Sequence, residues 1–215
     1  MKTIIFNTLF ITFLIFTNLN AQTVNVYIGT DTLSSNYPFT TYWMDGRTDI
    51  LFLESEITAA GGVPGYFMGI SFYVNHVDTL TMKGFNVKMQ NTVDTSISSF
   101  SGAWEICFNG EFKVLSTGWQ TIYFTQPFGW NGNDNIKIEI CYNNNRYTWF
   151  STVRSTTMPR RTYGAYTDLP NVDGCIDITS GTVQTRRPNI WLLLTPITGI
   201  SNNTSVPKKY SLSQN

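Results

Sequence analysis

His76 is the only histidine of the chain, so any Ser-His-Asp or Cys-His relay would have to pass through it. No Gly-x-Ser-x-Gly elbow occurs to present a nucleophile, and a multi-histidine metal site is impossible. Paired carboxylates are the other route to hydrolysis, since glycosidases set two acids about 5–10 Å apart across a cleft. Glu54 and Glu56 alternate in what reads as a strand, ~7 Å apart on one face. Glu105, Glu111 and Glu139 sit in similar alternating runs, however, and acids on the wetted face of a strand need no catalytic role. None has a sequence reason to be protonated. The chain is therefore expected to be non-catalytic.

Oxygen ligands are a better prospect than acid–base pairs. Asp168, Asp173 and Asp177 fall in one loop that also carries Pro170 and Gly174. Calcium takes six to eight oxygens, backbone carbonyls included, so this loop is the candidate for a structural calcium site. The spacing is not that of an EF-hand, and Asp is a common turn residue in its own right; no other cofactor is expected. Three cysteines, Cys107, Cys141 and Cys175, have no zinc-type spacing. They allow one disulfide and one leftover thiol. Cys107 lies in an apolar run and reads as a buried small hydrophobe. Cys141 ends a strand and Cys175 sits in a turn, so Cys141–Cys175 is the favoured pair, although spacing alone does not fix it.

Aromatic residues make up 15% of the chain, against 13% charged. Tyr42-Trp43, Trp119, Phe128, Trp130, Tyr142, Tyr147, Trp149, Tyr163 and Tyr166 fall in or beside expected loops. Such rings can stack on the apolar faces of sugars while their OH or NH groups bond the rims. Trp43, Tyr147, Trp149, Tyr163 and Tyr166 are the candidate ligand-binding residues. The amides of Asn143-Asn144-Asn145-Arg146 and the pair Arg160-Arg161 are possible polar contacts. Trp119 and Trp130 are expected to pack between sheets.

Strands must position these groups. Phe85, Val87 and Met89 alternate with Asn86, Lys88 and Gln90; Ile136, Ile138 and Ile140 alternate with Lys137 and Glu139; Ile122 and Phe124 alternate with Thr121 and Thr125. Period two means strands with one buried and one wetted face. Further strands are expected at 24–29, 50–57, 67–75, 104–108, 111–116, 146–153 and 188–195. Turn signals lie at 61–65, 109–110, 131–134 and 173–174, with Asn109-Gly110 the clearest hairpin. No helical period stands out beyond a turn near 57–60. About ten short strands with closely spaced turns predict an all-β, two-sheet antiparallel β-sandwich of jelly-roll type.

Before the strands, Lys2, the apolar run 4–16 and Leu19-Asn20-Ala21 have the form of a signal peptide, with cleavage expected after residue 21. The run is too short to span a membrane, which takes about 20 apolar residues. One domain is expected over 22–198, followed by a polar linker and tail over 199–215. Basic and acidic residues balance at 14 each, giving no electrostatic reason to expect nucleic acid or an anionic membrane as partner.

The tail Val206-Pro207-Lys208-Lys209-Tyr210-Ser211-Leu212-Ser213-Gln214-Asn215 resembles the opening of the C-terminal sorting domain of the type IX secretion system. The body is similar to the amino-terminal β-sandwich of cargo proteins of that system. Matching stretches include Tyr27-Ile28-Gly29-Thr30, Gly69-Ile70-Ser71-Phe72, Gly118-Trp119-Gln120-Thr121-Ile122, Pro127-Phe128-Gly129-Trp130-Asn131-Gly132 and Glu139-Ile140-Cys141-Tyr142-Asn143. Asp31-Thr32-Leu33 and Asp78-Thr79-Leu80 resemble the short O-glycosylation motif of bacteria that use this route. The resemblance implies export, with the sorting domain itself missing beyond Asn215, and no catalytic residues. The expectation is a secreted or surface-displayed binding or adhesion module of a larger extracellular protein. Its partners would be an extracellular glycan or a surface protein, and the secretion machinery through the missing region. The alternatives are a carbohydrate-binding module or structural spacer for a downstream enzyme, and, less favoured, a jelly-roll carbohydrate-active enzyme.

Overall fold

The computed structural model describes residues 23–197; the expected signal segment 1–21 and the tail 199–215 lie outside the described residues. In chain order the elements are β1 (Val24–Ile28), β2 (Leu33–Ser35), β3 (Asp45–Phe52), α1 (Glu54–Ala59), β4 (Gly65–His76), β5 (Thr81–Thr92), β6 (Glu105–Lys113), β7 (Gly118–Trp130), β8 (Asn135–Asn143), β9 (Thr152–Thr167), β10 (Thr182–Pro188) and β11 (Ile190–Pro196). The all-β, antiparallel expectation holds. The strands join edge to edge in the order β1-β11-β4-β9-β3-β8-β5-β6, with β7 on β4 and both β2 and β10 on β9. This single eleven-stranded sheet curls into a half-barrel, so the two layers of a sandwich are the two arms of one sheet. Phe39 bridges them, packing 5.4 Å from Phe72 of β4 and 6.4 Å from Phe85 of β5, strands four places apart in the order. Phe67, Phe128, Trp130, Ile138, Val87 and Leu192 fill the same core.

Four local expectations give way. Asn109-Gly110 makes no hairpin: β6 runs straight through it, with Asn109 opposite Asn86 and Gly110 opposite Phe85. The Asn109 side chain donates to Asn86 Oδ1 at 2.7 Å, so a turn-forming amide is spent on the neighbouring strand. The expected strand 50–57 ends at Phe52, and α1 follows, so Glu54 and Glu56 are not two acids on one strand face. Glu54 accepts a bond from Thr58. Glu56 accepts from Leu53 N and, with both oxygens, from the buried guanidinium of Arg187. Burial would raise the Glu56 carboxyl, but the bonds from Arg187 and Leu53 hold it below its ordinary value. The helix stops where Gly61, at φ +89°, and Gly62 donate back to Thr58 O and Ile57 O, a Schellman closure that glycine permits. The expected strand 146–153 is loop as far as Ser151, and β9 begins at Thr152.

The fourth correction concerns the wetted face of β8. Lys137 and Glu139 alternate with isoleucines as expected, yet both are buried. Residues 93–104 cross over them. Lys137 Nζ reaches Asp94 and Ser101 and sits 5.4 Å over Trp104; Arg47 lies 4.5 Å over Phe100. Glu139, 0% exposed, accepts from Arg47 and Lys88. Asp49, its direct cross-strand partner, is equally buried, and neither of its oxygens has a hydrogen bond.

A pH dependence follows. Burial, and then the charge of Glu139, push the Asp49 carboxyl up, while Lys137 and Arg47 only partly offset this. The folded chain thus keeps a proton that the unfolded chain loses near pH ~4. Such a group stabilises fully below that pH, and its contribution is lost as pH rises toward the folded-state value. Asp45, at the start of β3, acts in the same sense up to about 7. Glu56 has the opposite sign, but its loss falls on the acid side, as pH drops through its lowered value. Calorimetry in the presence of chelator should show the melting temperature falling from about pH 5 to about pH 8, and Asp49→Asn should flatten the slope. A flat or rising wild-type profile would contradict this reading.

Candidate functional site

Strand register decides which loops meet. Asp45 pairs with Asn143 on one side and Thr167 on the other, so the segment before β3, the loop 144–151 and the loop 168–181 all leave the sheet at the same end. Backbone bonds tie them together: Asn144 N to Met44 O, and Thr148 N to Thr41 O, each 3.0 Å. Asp78 adds a side-chain clasp, its carboxylate accepting from both Thr41 and Thr148.

At this end four of the five candidate rings come together around Tyr42, which sequence reading placed beside Trp43 without selecting it. Trp43 stacks on Tyr166 with centroids 4.4 Å apart and planes 16° from parallel. Tyr42 touches Trp43 at 5.8 Å, Tyr147 at 6.3 Å and Trp149 at 5.6 Å. Tyr147 and Trp149 are 56% and 55% exposed, so their ring area faces outward although both are braced. Tyr163 is the exception. It is 7% exposed, packs on Phe100 at 4.8 Å, and its hydroxyl accepts from Gly181 N at 2.8 Å. Because β9 continues to Thr167, Tyr163 is a strand residue under the 93–104 crossing, not a loop ring. Phe128 and Tyr142 are likewise core residues.

Beside the rings lies a cavity of about 470 Å³ lined by Asp45, Asp173, Asp177, Asn143, Asn144 and Leu169, among others. The three acids expected in this loop are all at the loop end, each already holding a backbone N–H: Asp168 that of Met44, Asp173 that of Cys175, and Asp177 that of Asp173. Sequence reading missed Asp45. It is 2% exposed, and its Oδ1 has no hydrogen-bond partner. Burial first, then the charges of Asp173 and Asp168, push its carboxyl up to about 7, with the Asn144 backbone N–H pulling the other way. The signal for it was weak, since Asp45-Gly46 looks like a turn and becomes special only through its register. The Cys141–Cys175 disulfide closes the loop onto β8. A β-carbon on Gly174 would lie 2.3 Å from Tyr142 O, so only glycine lets the chain approach so closely. Cys107 is the free, buried cysteine; burial and Glu105 push its thiol up to about 12, far from a reactive thiolate.

Other residues singled out by sequence are not part of the ring cluster. His76 ends β4, is exposed, and faces Phe150 O through Nδ1 at 3.2 Å. Asn144 is buried, its Oδ1 accepting from Lys83 N. Arg161 points to Glu56, away from the loop end. Thr32 and Thr79 are exposed.

Trp119 does not pack between the layers. Ile122 of β7 is in the core; Trp119 stands three residues away along an unbroken stretch of pairing and so must face outward, whereas Trp130, beyond a bulge between Tyr123 and Phe128, is buried. Trp130 Nε1 donates to Asp134 O at 2.8 Å inside the fold. Trp119 instead touches Tyr27, Tyr73 and Trp191 at 5.5–5.6 Å on the outer face of β1, β11, β4 and β7, and Arg154 covers Tyr73 at 3.6 Å. These rings meet edge to face, Tyr27 stays 44% exposed, and with Asn25 and Arg154 they line a cavity of about 380 Å³.

Among the described residues, no three His, Cys, Asp or Glu side chains are set to hold a metal unaided, and no helix is long and apolar enough to cross a membrane. A scan against protein-family models and searches of curated proteins and solved structures return no match to this chain.

Proposed function

We propose that the protein is a non-catalytic binding module of the extracellular space, and that its ligand is carbohydrate met at the loop end. The observation that carries this reading is the cluster Tyr42, Trp43, Tyr147, Trp149 and Tyr166. Three separate chain segments deliver these rings to one place, brace them against each other, and leave Tyr147 and Trp149 more than half exposed. The contacts among the rings add to stability, but the outward ring area of Tyr147 and Trp149 adds nothing to it while that area stays in water. A sugar face does gain from them, and rings held rigid in advance lose little entropy on binding. The cavity beside them carries Asn and Asp groups, which supply hydrogen-bond partners for the hydroxyls of the same ligand. The disulfide suits an oxidising compartment, and export along the type IX route is the reading that the tail supports.

The second reading is protein adhesion through the outer sheet face, favoured by Tyr27 and Tyr123, 44% and 67% exposed. A glycan and polysaccharide array with the purified protein separates the two. Glycan binding should appear and should weaken at least tenfold in Trp149→Ala, as expected from about 1.4 kcal/mol per decade of affinity, with little change in Trp119→Ala. A blank array from a folded, disulfide-bonded protein would overturn the carbohydrate reading.

A further inference from the structure

The loop end holds a buried acid that its surroundings do not explain. Asp45 is almost wholly removed from solvent and lines the 470 Å³ cavity, and its Oδ1 receives no hydrogen bond. Among the described residues, no Lys or Arg forms a salt bridge with Asp45, Asp168, Asp173 or Asp177. The other two buried acids among the described residues, Glu139 and Asp49, and half-buried Glu56 each have a cation close by. Glu139 has Arg47 and Lys88, and Glu56 has Arg187; Asp49 lies near Lys137 and Arg47. Burying a carboxylate without a counter-charge is costly, and a small cation in the cavity would remove that cost.

We propose that this cavity binds one calcium ion, with Asp45 Oδ1 as its buried ligand and with Asp173 and oxygens of the 143–145 and 169–173 segments completing the shell. The ion type follows from the lining. The donors are carboxylate, amide and backbone oxygens on two irregular loops and a strand end, which suits the six to eight oxygens and flexible geometry of calcium. Magnesium demands a near-octahedral set at shorter range. Since three carboxylates do not converge here, carbonyl and amide oxygens must supply much of the shell. The ion would pin the start of β3, two residues after Trp43, to the loop that carries Tyr147 and Trp149 and to the loop that follows Tyr166 at the end of β9. The site does not depend on what the rings bind, because its readouts are ion stoichiometry and melting, not ligand affinity.

The test begins with protein stripped by chelator, followed by equilibrium dialysis against CaCl₂ and calorimetry in about 10 mM Ca²⁺, in about 10 mM Mg²⁺ and in chelator. One Ca²⁺ per chain is expected. At a dissociation constant near ~0.1 mM, in the range of extracellular modules, the melting temperature should rise by roughly 5–10 °C. Asp45→Asn, which keeps shape and removes charge, should melt in chelator no lower than wild type and lose the calcium increment. Asp173→Asn, at a less buried position, should reduce the increment without unfolding the chain. Equal melting of wild type in calcium and chelator with less than one ion bound, an increment that survives Asp45→Asn, or an equal response to magnesium would each overturn the proposal.

Discussion

Replacing Glu139 by Ala should lower stability by about 3–5 kcal/mol, the cost of breaking a buried ion pair by deleting one partner. Glu139 is fully buried, and its two oxygens take Arg47 Nε at 2.9 Å, Arg47 Nη2 at 2.6 Å and Lys88 Nζ at 2.8 Å. Deletion leaves two cations with little access to water, their side chains only 13% and 15% exposed. In a domain of this size, such a loss corresponds to a melting-temperature drop on the order of 10 °C. The contrast is Asp94→Asn, which loosens a 3.5 Å contact from an acid that is 48% exposed; Lys137, itself buried, keeps Ser101 and the Trp104 ring, so the loss should be smaller than for Glu139→Ala. Because Asp49 lies directly opposite Glu139, it can ionise toward Arg47 once Glu139 is gone, so Glu139→Ala with Asp49→Asn should be worse than the sum of the two changes. Denaturant midpoints of the two single variants and the double variant measure this. Equal, small losses for Glu139→Ala and Asp94→Asn would mean that the 93–104 crossing does not exclude water as described.

The second large effect belongs to the disulfide. Cys141 and Cys175 are 34 residues apart, and closing a loop of that length removes about 4 kcal/mol of unfolded-state entropy on the chain-entropy account. Cys141→Ser with Cys175→Ser should lower the stability by about that amount. It should also act locally, since the bridge holds Asp173 and Gly174 against the start of β3. Binding at the loop end should therefore weaken even under conditions where the double variant is still folded. Cys107 should stay unreactive to alkylating reagents until the chain unfolds, because its thiol is buried in the core and its pKa is raised. A double variant that matches wild type in both denaturant midpoint and binding would contradict this.

Much of the architecture was legible because period two is hard to mistake. The cores of β5, β7 and β8 follow directly from Phe85, Val87 and Met89, from Ile122, and from Ile136, Ile138 and Ile140. The turns at 61–65 and 131–134 stand where Gly and Asn place them. What alternation cannot say is whether the polar face meets water or another piece of chain. Lys137 and Glu139 read as solvated and are covered by the 93–104 segment, a long-range event with no local signature. The same limit explains α1: Glu56 leaves the strand pattern because of Arg187, 131 residues away. Asn109-Gly110 favours a turn only when no neighbouring strand claims both residues, and β5 claims them.

Of the candidate site, Trp43, Tyr147 and Trp149 are legible as loop aromatics and Tyr166 as a ring beside a loop, although it belongs to β9; Asp173 and Asp177 are legible as acids of one loop, whereas Asp168 of the same loop does not line the cavity. Tyr163 reads as a loop ring because the length of β9 is not evident from a Thr- and Arg-rich stretch. Trp119 is a different kind of error, for its parity with Ile122 was available in the sequence and gives the outward face directly. Asp45 carries only the weak signal of a turn-like Asp-Gly, and its burial arises from the pairing of β3 with both β8 and β9.

The most direct test of the loop-end site is an indole N–H spectrum of ¹⁵N-labelled protein, in which the six tryptophans each give one signal, titrated with a panel of defined oligosaccharides. The site predicts that a binding oligosaccharide shifts Trp43 and Trp149 while buried Trp130 and the outer-face pair Trp119 and Trp191 stay in place. Shifts confined to Trp119 and Trp191, or none with any saccharide, would contradict it.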